Sequence, residues 1–77
     1  MNKYEEFIIE TIKEYGGSCT LSSIQSRFHR QFIDEDDLNM KIGLSLDSLA
    51  ATNAIQSPPP NDQMIILKQL EHNIKKG

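Results

Sequence analysis

The sequence predicts a mainly helical α+β domain, and two observations carry that prediction. Apolar residues recur at helical spacing through most of the first 52 residues, punctuated by Gly16-Gly17 and Gly43. Two short β-prone runs then flank a proline triplet near the end of the chain. At 77 residues this is one domain, of a size that buries only about 60% of its unfolded surface and is held by about 5 kcal/mol.

Residues 3–15 read as the first helix. Tyr4, Ile8, Ile12 and Tyr15 fall on one face, Phe7 and Ile9 widen it, and Glu6, Glu10 and Glu14 line the other side with Lys3 and Lys13. Gly16 and Gly17 end the helix, one of them in the left-handed conformation that glycine adopts without strain. Ser18-Cys19-Thr20 is a brief extended stretch, and Cys19 reads as a small buried hydrophobe. Thr20 is the expected N-cap of a second helix running to Phe32, with Cys19 and Ile24 at staple spacing. That helix buries Leu21, Ile24, Phe28 and Phe32. Ser22, Ser26, His29 and Arg30 face away from the stripe, and Arg27 lies on its flank.

Asp34 reads as the next N-cap, with Glu35, Asp36 and Asp37 in the first turn, where the helix dipole favours acids. A calcium loop is excluded here, because glycine is missing at its sixth position and glutamate at its twelfth. Gly43 is expected to break this short helix. Ser45 would then cap a restart, with Leu44 and Leu49 at staple spacing and Asn53 as the stop. Residues 54–56 and 63–67 read as strands joined by Ser57-Pro58-Pro59-Pro60-Asn61-Asp62. The tail beyond Lys68 has Leu70 and Ile74 on one side and can carry a helical turn or two.

This order is that of a winged helix-turn-helix: three to four helices, a small β-ribbon wing and room for a C-terminal helix. Residues 1–68 form the domain and 69–77 an extension. An all-helical bundle is the competing architecture, and the prolines oppose it.

Composition narrows the function. The net charge is −3, which opposes broad nucleic-acid coating without forbidding a local basic patch. A single cysteine cannot form an internal disulfide, which favours a reducing compartment. No apolar run reaches the roughly 20 residues that a membrane helix needs. The acidic first segment resembles neither a signal nor a transit peptide. His29 and His72 are the only histidines, and no nucleophile elbow or phosphate loop is present. The expectation is therefore a non-catalytic protein without metal or cofactor. Arg27, Arg30 and Lys41 form the candidate basic cluster for RNA, with His29 adding charge as pH falls. The helix after Gly43 offers Asp47, Ser48 and Thr52, and the wing tip Asp62, so major-groove DNA reading is the weaker function.

Phe7 to Ile12, Tyr15-Gly16-Gly17, Leu21-Ser22-Ser23-Ile24, Phe28, Phe32 and Lys41-Ile42-Gly43-Leu44-Ser45-Leu46 with Leu49 resemble the LOTUS (OST-HTH) family. The likeness spans residues 7–67, with Leu44 where an aromatic is more usual. It implies an adaptor of ribonucleoprotein assemblies, cytoplasmic and granule-associated, with a nuclear site also open. Such domains bind a Vasa-like DEAD-box RNA helicase, or RNA. In the helicase-binding subtype the second helix and a C-terminal helix form the interface, which here implies Ser26, His29 and Arg30 with Leu70, Asn73 and Ile74. The alternative is a generic winged-helix nucleic-acid-binding domain of a regulatory complex.

Overall fold

The computed structural model of the chain describes residues 1–56 and 64–68. They form α1 (Lys3–Glu14), β1 (Ser18–Thr20), α2 (Leu21–Gln31), α3 (Leu38–Ala51) and β2 (Met64–Ile66). The result is mainly helical, with three helices against a two-stranded antiparallel sheet. The proline segment and the tail, with Asp62, Leu70, His72, Asn73 and Ile74, lie outside the described residues.

α1 opens with a reciprocal cap. The Asn2 side chain accepts from the Glu5 N–H at 2.9 Å, and Glu5 Oε1 accepts from the Asn2 N–H at 3.0 Å. The Ser48 hydroxyl first, then the Asn2 backbone bond, hold the Glu5 carboxyl below the ordinary range. Ile8 and Ile12 are fully buried, and Thr11 satisfies its hydroxyl on the Phe7 carbonyl at 2.8 Å. The helix ends in a Schellman arrangement: Gly17 N–H donates to the Ile12 carbonyl and Gly16 N–H to that of Lys13, both at 3.0 Å. Both glycines have positive φ, 85° and 111°, where one was expected.

Tyr15 corrects the expectation for α1. It continues the apolar spacing, yet it is 45% exposed. As the C-cap, it lies past the last helical turn that packs on the core.

Thr20 ends β1 and caps α2, its hydroxyl oxygen accepting from the Ser23 N–H at 3.1 Å. α2 buries Ile24 and Phe28, while Leu21 and Phe32 are half-buried. Phe28 and Phe32, 4.7 Å apart between ring centroids, meet Tyr4 and Phe7 of α1 at 5.2 to 6.0 Å.

The acidic run behaves differently from its reading as a first turn. Asp34 is not the cap; α3 starts after Asp37, which sits in the left-handed region (φ 57°) without a side-chain capping bond. Glu35 turns back to α1, as described below.

Gly43 does not break the chain, and Ser45 caps nothing. α3 is continuous, so the described residues hold three helices. Its buried face runs Ile42, Ser45, Leu49, spaced to cross position 43 on the covered side, while Gly43 itself is exposed. Glycine inside a helix costs about 1 kcal/mol relative to alanine, and burial of that continuous face outweighs it. Leu44 is 62% exposed, so the expected staple with Leu49 does not exist. Asn53 does stop the helix, at φ 66°. A second Schellman pair forms there: Asn53 N–H to the Ala50 carbonyl and Ala54 N–H to that of Leu49.

β2 pairs antiparallel with β1, Cys19 opposite Ile65, both buried. On its other edge the Gln56 N–H donates to the Ile66 carbonyl at 2.9 Å, and the Lys68 N–H to that of Ala54 at 3.0 Å. Residues 54–56 therefore contribute one bridge, Ile55 to Leu67, rather than a full strand. The return segment lies between β1 and residues 54–56.

Candidate partner-binding site

Two surface depressions hold Ser26, Arg27, Arg30 and Lys41 of the expected site residues, and they divide the basic cluster. Arg27 and Arg30 line the first, of about 340 Å³, with Tyr15, Ser22, Ser23 and Ser26. Lys41 lines the second, of about 300 Å³, with Tyr4, Glu5 and Ser48. Arg27, Arg30 and Lys41 are therefore not brought together.

The first depression lies where the end of α1 meets the outer side of α2. Arg27 is fixed there by an ion pair with Glu14, which also raises its already high pKa, and its guanidinium stands 5.3 Å over the Tyr15 ring. Ser22, Ser26 and Arg30 are exposed and spaced four residues apart on one side of α2. Arg30 has no ion-pair partner among the described residues. His29, expected beside them, instead donates from Nε2 to Asn39 Oδ1 at 2.8 Å and joins α2 to α3.

The second depression borders a closed network. Glu35 accepts from the Tyr4 hydroxyl at 2.5 Å, and from Lys41 and Lys3 at 3.1 Å each. The Tyr4 bond first, then the two ammonium groups, lower the Glu35 carboxyl to about 2, and Glu35 in turn raises the pKa of Lys41. Both ammonium groups also stand over Tyr4, Lys3 at 5.2 Å and Lys41 at 5.5 Å. The charge of Lys41 is spent within the fold.

Tyr15 and Glu14 are the site residues that sequence reasoning missed. The Glu14–Arg27 pair joins positions 13 residues apart and leaves no local signal. Tyr15 had one: it directly precedes a glycine pair, where a helix end lifts side chains off the core. Among the described residues no group of three or more His, Cys, Asp or Glu is placed to hold a metal ion. Nor is any described helix long and apolar enough to cross a membrane.

No family model matches this chain, and neither does any curated protein or solved structure. The class that the structure defines is a small, mainly helical α+β domain with a polar, arginine-lined face on its second helix.

Proposed function

We propose that this chain is a non-catalytic, winged-helix interaction module similar to LOTUS domains, acting in a ribonucleoprotein assembly. Its partner is a DEAD-box RNA helicase of the Vasa-like kind, taken up on the outer face of α2 by Ser26, Arg30 and the exposed edge of His29. The extension, through Leu70, Asn73 and Ile74, completes the contact. Two things support the winged-helix reading: the order helix, strand, helix, helix, strand, and a return strand between β1 and residues 54–56. The observation that carries the choice of a protein partner is the dispersal of the cations. Lys3, Lys13, Arg27 and Lys41 each lie against a carboxylate, which leaves few charges on the helices for phosphates.

RNA is the second reading, favoured by Arg27 and Arg30 lining one depression. The test is a pull-down of the full chain with a DEAD-box helicase core, beside an RNA-binding titration in salt. Helicase binding that survives moderate salt and is lost in the Arg27→Glu, Arg30→Glu double variant supports the proposal. Unchanged binding by that variant, folded by circular dichroism, contradicts it. Steeply salt-dependent RNA binding without helicase capture favours the second reading. Removing residues 69–77 is expected to abolish helicase capture and leave RNA binding nearly unchanged.

A further inference from the structure

We infer that the depression between the end of α1 and the outer side of α2 is a seat for a carboxylate side chain of a partner polypeptide, with Arg30 as its charge partner. This rests on the reading of α2 as the partner face and adds the chemistry of what it grips. Of the Lys and Arg residues on the three helices, Arg30 alone has no carboxylate against it among the described residues. It stands in a chain of net charge −3, where acids able to pair with it are plentiful.

The depression is furnished for one carboxylate. The Arg30 guanidinium can present two parallel N–H donors to it. The hydroxyls of Ser22 and Ser26, on the same side of α2, add neutral donors that a carboxylate oxygen accepts. On the far wall Glu14 pairs with Arg27, which stands over Tyr15. Tyr15, 45% exposed, offers the partner apolar ring surface beside the charge. A nucleic-acid backbone fits less well, since repeated phosphates need several free cations.

The test is a titration of the full-length 15N-labelled chain, followed by NMR, with a soluble peptide of alternating glutamate and alanine. Its glutamine counterpart and a single-stranded uridine oligonucleotide are run in parallel. The glutamate peptide is expected to shift the amides of Tyr15, Ser22, Ser26 and Arg30, and the glutamine peptide to leave them still. Arg30→Gln should weaken the glutamate peptide at least fivefold, and Lys41→Gln should leave its affinity unchanged. Equal shifts from the glutamine peptide, shifts spread over all cations, or tighter binding of the oligonucleotide at the same residues would each overturn the inference. Competition separates this inference from the functional proposal. A helicase core that binds the chain and is not displaced by excess glutamate peptide removes the inference and leaves the proposal. Glutamate-specific shifts with no helicase capture do the reverse.

Discussion

The Glu35 network and the Arg30 face use the same parts to opposite ends. Each sets a guanidinium or ammonium group over a tyrosine ring with a carboxylate close by. Around Glu35, two lysines and a tyrosine hydroxyl share one carboxylate, and they tie the loop after α2 to α1 and α3. On the α2 face, one arginine is matched by Glu14 while its neighbour Arg30 has no acid among the described residues, and Ser22, Ser23 and Ser26 line the same depression. Saturated charge fastens the fold to itself; unmatched charge beside neutral donors is open to another molecule. The two tyrosines follow suit, Tyr4 half-buried in the aromatic cluster and Tyr15 exposed at a helix end.

The comparison breaks most severely if its shared floor is removed. Phe28 is fully buried beneath Tyr4, Phe7 and Phe32, so Phe28→Ala should cost about 3–5 kcal/mol. That loss rivals the whole stability of so small a domain, and urea denaturation should find the variant largely unfolded.

Acid attacks the network selectively. The folded Glu35 carboxyl is lowered from 4.5 to about 2, so its contribution is complete above the unfolded value. It is lost as pH falls from about 4.5 through about 2. Glu5, lowered by Ser48 and Asn2, adds in the same direction. The melting temperature should fall across that window, and Glu35→Gln should flatten the fall. A variant whose acid profile matches the parent's would remove Glu35 as a fastening.

Glycines sharpen the same contrast between fold and surface at a smaller scale. Gly43 is mid-helix with open space where a Cβ would sit, so Gly43→Ala should stabilise by about 0.5–1 kcal/mol. Gly16 has equal space but a φ of +85°, so Gly16→Ala should destabilise by about 1 kcal/mol. Thermal melts read both signs. The smallest stability effect is expected at Arg30→Gln, within about 0.5 kcal/mol as for other exposed positions.

The sequence told more of the local ends than of the long-range pairings. Thr20 and Asn53 announced a cap and a stop because their side chains and backbone preferences act within a few residues. Gly43 misled for the opposite reason: its intrinsic cost is local, while burial of Ile42 and Leu49 is decided by α1 and α2. Asp34 to Asp37 misled similarly, since Glu35 finds two of its three partners 31 and 32 residues away. Of the candidate site, the outward positions of α2 were legible from periodicity. The separation of Lys41 from Arg27 and Arg30 was not, because ion pairing between elements leaves no mark in spacing.

In the proposed arrangement the α2 face meets the partner and the Glu35 network serves the fold. Helicase-core binding by the parent chain, Arg30→Gln and Lys41→Gln, each first shown to be folded, tests it most directly. The parent should capture the core, Arg30→Gln at least tenfold more weakly, and Lys41→Gln as the parent does. Parent-like capture by Arg30→Gln, or loss of capture by folded Lys41→Gln, would contradict it.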